Sequence, residues 1–444
     1  NSDNEVTTYY GDTAITSFSV GTLKYYKHTT SSTGKDSVYQ TTLSCSGYKF
    51  YIDQSKGEIY NPDSLPYGID GKKVLCTVSS KNSGSIVIKS LTSDSLAYYS
   101  STDSMNFTTP REFRVYNQEG TAYRKYTVHV NVHKEVADSF RWDATSAIND
   151  NIAALSAMKG VALNSQIFLM GNSGGVAKLY STSQNSVSGW NEITPNIVMS
   201  TDAYKSLIVK DDYIYTYNSG SVIRSKDGIS WETVSNEPLT RLVGCTSAKM
   251  YALSGSGIKI SLDGGVTWTV DVMEDALNLL PTDNVNMFSF ASPVNDNTNN
   301  LVLVGNRDAS FTSDAYAMVW GKVEENAAGS ENQPWAYYNI TEENKYPAPR
   351  LTNLQTVKYG DAIMAFGGSG LGLSTEKAFN KFYMSYDKGI TWQNDSLITQ
   401  PIGFKCAAAS FALVADNNNC IWLICGGSGQ VWKGHINKVA WKEE

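Results

Sequence analysis

The 444-residue chain carries 36 Lys and Arg against 43 Asp and Glu, a formal net charge of −7, and only 18% of its residues are charged. At that length a single core does not suffice, so two or more domains are expected. Net acidity with no Lys/Arg cluster argues against a nucleic-acid surface. The absence of any run of about 18 apolar residues argues against a spanning helix, and abundant Tyr, Ser, Thr, Asn and Gly suit a β-rich, loop-rich extracellular protein.

The first residues, Asn1 to Glu5, are polar and read as the remnant left once a targeting segment is removed. Alternating runs then follow at Ile15–Val20, Val38–Leu43, Lys49–Ile52, Lys73–Val78, Ser85–Ile88 and Tyr123–Val132, separated by turn signals such as Asn61-Pro62-Asp63 and Asp70-Gly71. All ten Trp lie from Trp142 onward. That shift in composition divides the chain into residues 1–135 and 136–444, and the expected fold is all-β, with an antiparallel sandwich of immunoglobulin-like type in the first part. The opening DTAITSFSVG, the LPYGIDG turn and the closing FRVYNQEGTAYRKYTVHV resemble the immunoglobulin- or cadherin-like modules near the N-termini of Bacteroidetes surface lipoproteins. The resemblance implies a spacer or docking module, not a catalytic unit.

From about Asp150 a four-strand unit recurs. One copy reads Leu242–Cys245, Met250–Leu253, Ile258–Ser261 and Val266–Val270; another reads Leu354–Lys358, Ala362–Phe366, Phe382–Ser385 and Ile390–Trp392. Each unit ends on a Trp (Trp190, Trp231, Trp268, Trp335, Trp392, Trp441), and Pro195, Pro238, Pro281, Pro347 and Pro401 follow five of them where the chain leaves one sheet for the next. Six such units predict a six-bladed β-propeller. Ring closure stays open, because Ser139–Trp142 could pair onto the last unit although that unit already holds four runs. The fourth unit, Val285 to Ile340, is the longest, and Asp271–Leu280 is the one stretch that reads as a short helix.

Three units share a hairpin: SKDGISW at Ser225–Trp231, SLDGGVTW at Ser261–Trp268 and SYDKGITW at Ser385–Trp392. These resemble the Asp-boxes of sialidases and other propeller proteins, and the glycine-rich MGNSGG, FGGSG and CGGSG runs are similar to those of kelch-type propellers. The physical expectation is local: Asp227, Asp263 and Asp387 accept hydrogen bonds from their own turns. Gly228, Gly265 and Gly389 take positive φ, and Trp231, Trp268 and Trp392 cover the gap to a neighbouring blade. They are read as scaffold.

Chemistry is sparse. Only His435 of four histidines falls in the second part, which argues against an imidazole metal site or a Ser-His-Asp hydrolase. NDNTNN at Asn295–Asn300 and the stretch Asp416–Asn419 are read as hairpin turns rather than calcium loops. No metal and no cofactor are expected. The cysteines (Cys45, Cys76, Cys245, Cys406, Cys420, Cys425) allow either bridges, Cys45 with Cys76 and Cys406 with Cys420 or Cys425, or buried free thiols.

Glycoside hydrolysis needs two placed carboxylates, and sialidases also grip a substrate carboxylate with three arginines. Arg241, Arg307 and Arg350, with Lys405 in a similar place in the sixth unit, are the candidate ligand-binding residues at a channel mouth; the plainer alternative is that they close linkers through backbone hydrogen bonds. No Arg-[Ile/Val]-Pro motif opens the first blade and no Glu is recognisably partnered with a channel Tyr, so no catalytic residue is assigned. Trp320, Trp335 to Tyr338, Trp422 and Trp432 form a candidate aromatic platform for sugars.

As a whole the chain resembles the propeller lipoproteins of Bacteroidetes. The expected function is non-enzymatic recognition of an extracellular glycan or surface protein at the propeller channel, by a monomer that is secreted or tethered to the outer membrane, with a possible lipid anchor at a removed N-terminal segment. A glycoside hydrolase of sialidase-like architecture is the alternative, and a structural subunit of a glycan-uptake assembly a third reading.

Overall fold

The structure, a computed structural model, describes residues 13–30, 36–133, 140–143, 146–394 and 398–436. Asn1 to Glu5, Ser139 and Trp441, on which the sequence reading placed expectations, lie outside the described residues. The chain divides into two compact units, the second spanning Phe140–Ile436.

In the first unit Ile15–Val20 pairs with Cys76–Ser80, and Thr22–Thr30 with Asp36–Ser44. A six-stranded sheet runs in the order Tyr51–Asp53, Glu58–Tyr60, Tyr123–Val128, Arg111–Tyr116, Ile86–Lys89, Leu96–Tyr98. Ile15–Val20 buries Ile15, Phe18 and Val20; a register shift between Ile15 and Ser17 leaves Thr16 and Ser17 both exposed, and alternation with period two holds only from Ser17 to Val20. Phe18, Phe107 and Phe113 pack edge-on or stacked at the centre of this core. One strand pairing departs from the antiparallel expectation, Glu58–Tyr60 running parallel to Tyr123–Val128, and the isolated bridge Leu65–Val132 continues it in the same sense. A parallel partner needs a long crossover, and the strands between these two segments supply it. Asn61 then holds the pair in place, accepting from the Asn131 N–H and donating to its carbonyl.

Among the described residues the second unit contains six antiparallel sheets, five of four strands in chain order and a sixth of five strands. The first is Ala157–Leu163, Gln166–Ser173, Val176–Ser183, Asn191–Ile193. The second runs Ile208–Lys210, Tyr213–Asn218, Ser221–Ser225, Trp231–Ser235, and the third Arg241–Cys245, Met250–Ser254, Gly257–Ser261, Thr269–Val270. The fourth is Asp283–Ala291, Thr298–Asn306, Met318–Glu325, Ala336–Tyr337, and the fifth Gln355–Tyr359, Ala362–Phe366, Tyr383–Ser385, Gln393–Asn394. The sixth takes Phe411–Ala415, Cys420–Cys425 and Gln430–Ile436 from the end of the unit, and its outer edge from the beginning, where Phe140–Trp142 and Ala147–Ile148 both pair with Gln430–Ile436. Trp142 also donates from Nε1 to the Thr399 carbonyl. That answers the open question of closure: the segment before the first sheet completes the last one.

The first strands of successive sheets contact one another in turn, and that of the sixth contacts that of the first. Their approach is close enough that a Cβ on Gly160 would lie 2.5 Å from Val414 Cγ2. An apolar cluster fills each gap between consecutive sheets. Trp320, Trp335 and Trp422 are fully buried in these clusters and Trp432 nearly so. The proposed aromatic platform is therefore core at these four positions, because large rings gain more from filling an inter-sheet gap than from facing water.

The three repeated hairpins join third to fourth strands. In the eight-residue copies, Asp263 and Asp387 each accept from a Thr backbone N–H and hydroxyl (Thr267, Thr391) and from the preceding Ser hydroxyl. In the shorter copy Asp227 accepts instead from the N–H groups of Ile229 and Ser230. Gly228, Gly265 and Gly389 have φ of 79°, 95° and 90°. Each Trp indole N–H donates to the carbonyl of that glycine, at 2.7–2.8 Å. The rings then pack on the preceding sheet: Trp231 with Phe168 and Leu179, Trp268 with Tyr215 and Val222, Trp392 with Val302 and Val319.

One further expectation changes. Asp271–Leu280 forms only a 3-10 turn at Leu277–Leu279, because Asp271 is drawn into the core by Trp335 Nε1 and Lys322 Nζ. Of the two readings left open for the cysteines, the structure has the free thiols, at all six positions.

Candidate functional site

The inner strands bring polar side chains to the centre of the ring. In Ala157–Leu163, Met158 belongs to the apolar core, and it and Lys159 line a cavity of about 310 Å³. Around it stand Arg241, the first residue of the third sheet's inner strand; Asp283, Asn284 and Asn286 from the fourth; and Asn353 and Gln355 from the fifth. Tyr204 and Lys205 enter from the 3-10 turn that precedes the second sheet's inner strand.

Lys159 Nζ donates to Asn286 Oδ1 at 2.8 Å, and Asn286 Nδ2 donates to Thr356 Oγ1 at 3.0 Å. The chain of contacts crosses from the first sheet to the fourth and fifth. Lys159, Asn286 and Gln355 also line a second cavity of about 330 Å³, bounded by the inner strands of all six sheets. Burial, reinforced by the neighbouring Arg241 charge, brings the Lys159 ammonium down to about 7. Burial also lowers Arg241, opposed by Asp283 and Tyr204, and burial raises the Tyr204 phenol.

Two donors at this cavity lack acceptors: Arg241 Nε and Asn353 Nδ2 are buried without hydrogen-bond partners. Asn284 and Asn353 also hold left-handed backbone, with φ of 53° and 52°, a conformation that non-glycine residues adopt at a cost and that gathers at binding sites. The wall is thus polar and donor-rich, and Asp283 is its one carboxylate.

Of the four cations expected at a channel mouth, only Arg241 lines this cavity. Arg350 is fully buried, and its terminal nitrogens donate to the carbonyls of Phe311, Asp314, Arg307 and Asp308, holding the 307–314 segment. Arg307 forks onto the Asp314 carboxylate and lies over the Phe311 ring. Lys405 is exposed, and its backbone pairs with Gln430 and Ser428. The three arginines do not share a pocket.

A Tyr–Glu pair does exist: Tyr251 donates to Glu324 at 2.6 Å. Both are fully buried between the third and fourth sheets, and Glu324 also accepts from Thr246, Asn299 and Asn326. It lies off both central cavities. Among the described residues no group of His, Cys, Asp or Glu is arranged to hold a metal, and no helix is long and apolar enough to cross a membrane.

Sequence reasoning missed Lys159, Asp283, Asn286 and Asn353. One signal was available, a lysine inside the apolar run AMKGVAL. The others look like ordinary polar residues until the ring places them together.

Two family models match. The DUF6242 beta propeller domain covers residues 136–444, and the domain of unknown function (DUF6242) N-terminal domain covers residues 18–130. No curated protein matches the sequence. Solved structures similar to the chain include a Trichoderma reesei protein of Carbohydrate-Active Enzymes Family AA12, at 11% identity and a TM-score of 0.41 over 68% of this chain and 98% of that one. XC5397 from Xanthomonas campestris, described as a gluconolactonase, matches at 10% identity and 0.36 over 67% and 95%. The PQQ-bound aldose sugar dehydrogenase of Streptomyces coelicolor matches at 11% and 0.34 over 66% and 99%.

Proposed function

The chain belongs to the DUF6242 family, an N-terminal domain followed by a β-propeller domain, and from that premise we propose that it is a non-enzymatic recognition protein. It binds an extracellular glycan or surface protein at the centre of the propeller. In this reading the six sheets are six blades, the three hairpins are Asp-boxes, and the first unit is an immunoglobulin-like spacer. The protein works as a monomer, secreted or lipid-anchored at the cell surface.

The observation that carries the reading is the central cavity, where donors from several sheets converge on one small polar space. Its single carboxylate favours binding over glycoside hydrolysis, which needs an acid and a second carboxylate on either side of the bond. The separation of Arg241 from Arg307 and Arg350 points the same way.

The test is incubation of the purified protein with mucin glycans and mixed polysaccharides, following both retention and sugar release by mass spectrometry. Retention without release is expected. Release that disappears in Asp283→Asn would make the protein a hydrolase and end this reading.

A further inference from the structure

The central cavity is polar in a one-sided way. Lys159, Lys205 and Arg241 bring cationic groups to it and Asp283 one anionic group. Lys205 sits at the exposed rim, 3.4 Å from Asp202; Lys159 and Arg241 lie deeper. The two buried polar atoms there without partners, Arg241 Nε and Asn353 Nδ2, are both donors. Leaving buried donors unmet costs free energy that an acceptor-only ligand would recover. A carboxylate fits, because it accepts from a guanidinium through two parallel bonds, whereas a dianion would be held back by Asp283 and the nearby Asp202. Beside the Tyr204 phenol and the apolar Met158, Val285 and Leu354, the rest of the wall is side-chain amide, from Asn284, Asn286 and Gln355. Amides both donate and accept, as hydroxyl groups require. At about 310 Å³ the space stands at the small end of ligand pockets, enough for one compact polar unit.

We propose that this cavity binds an acidic sugar unit of the uronic acid type, its carboxylate between Arg241, Asn353 and Lys159 and its hydroxyls on the amide wall. This rests on the recognition reading above and narrows it to one ligand class. Binding is proton-linked. Lys159 faces Arg241, Lys205, Tyr204 and Asp283 in this cavity, with Lys358 and Cys245 lining the adjoining one. Its ammonium, held near 7 in the free protein, is stabilised by a bound anion. Affinity is therefore highest below pH 7 and falls as pH rises.

The experiment is titration calorimetry on the full chain with glucuronate, galacturonate and a glucuronate-terminated oligosaccharide. Glucose, galactose and inorganic phosphate serve as comparators, beside a neutral and acidic glycan array. Acid sugars should bind and neutral epimers not. Arg241→Gln should weaken binding at least about tenfold, and Lys159→Met should do likewise, while Lys405→Gln, which removes a cation away from the cavity, should leave it unchanged. For the wild type, affinity should drop about tenfold from about pH 6.5 to about pH 8.5, a readout that stands even if a variant fails to fold. The monosaccharide and oligosaccharide arms tell a free sugar acid from a chain terminus.

Acid-sugar binding unmoved by both cavity variants and by pH overturns the proposal. Equal binding of phosphate overturns the sugar assignment. Neutral glycans retained in preference to acidic ones overturn this inference but leave recognition standing; no retention of any glycan removes the glycan form of both.

Discussion

Two buried polar clusters in the second unit, one between the third and fourth sheets and one at the centre of the ring, differ in how completely they are satisfied. In the first, Lys322 bonds Asp271 at 2.6 Å and Asn332 at 2.8 Å, and Asp271 also accepts from Trp335 and Asn332. Beside it the Glu324 carboxylate accepts from four side chains, and burial followed by the Glu324 charge drives the Tyr251 phenol far upward. In the second, Arg241 and Asn353 leave donors unmet, and Lys159 has one amide oxygen for a partner. A polar cluster that closes on itself stabilises a particular packing. One that stays open has its remaining bonding capacity directed at something else. Titratable and charged residues alone do not separate the two; the census of partners does.

Substitutions can break that contrast. The largest effect belongs to Lys322→Met, which strands the Asp271 carboxylate in a core where both side chains are 1% exposed. A loss of about 3–5 kcal/mol in denaturant unfolding is expected, and a loss below about 1 kcal/mol would mean that the closed cluster is not a scaffold. Smaller is Asp263→Ala in a repeated hairpin, on the order of 1 kcal/mol after allowance for its exposure. Bonds from the Thr267 hydroxyl and N–H hold the Asp263 carboxyl down at about 2. A depressed carboxyl contributes stability above its unfolded value, and that contribution disappears as pH falls from about 4 toward 2. The wild-type advantage over Asp263→Ala should therefore vanish across that window in acid unfolding curves. The smallest effect on folding is expected from Arg241→Gln, within about 1 kcal/mol, since it removes a buried guanidinium whose Nε has no partner. A large loss there would make the open cluster structural after all.

How much of this could be seen in the chain depends on the range over which each feature is held together. The hairpins were legible because Ser, Asp, Gly, Thr and Trp bond one another within eight residues, and one missing residue in the copy at Ser225 shifts the Asp bonds by one position without changing the motif. Arg350 was legible as a charged residue near an inner strand, but not as a donor to four carbonyls of a loop some forty positions earlier in the chain. The Trp residues were legible as large apolar groups, and their burial was decided by which sheet stood next to them.

By itself the sequence determined the local units: alternating strands, the turns between them, and hairpins whose hydrogen bonds close within a few residues. Those follow from backbone geometry and side-chain bonding at short range. Only the tertiary structure decided that Phe140–Trp142 completes the sixth sheet and that Lys159, Arg241, Asn286 and Asn353 share one cavity. Each of those residues sits on a separate strand or beside one, and their meeting depends on how the sheets are arranged around the ring, a relation between distant segments that no local pattern encodes.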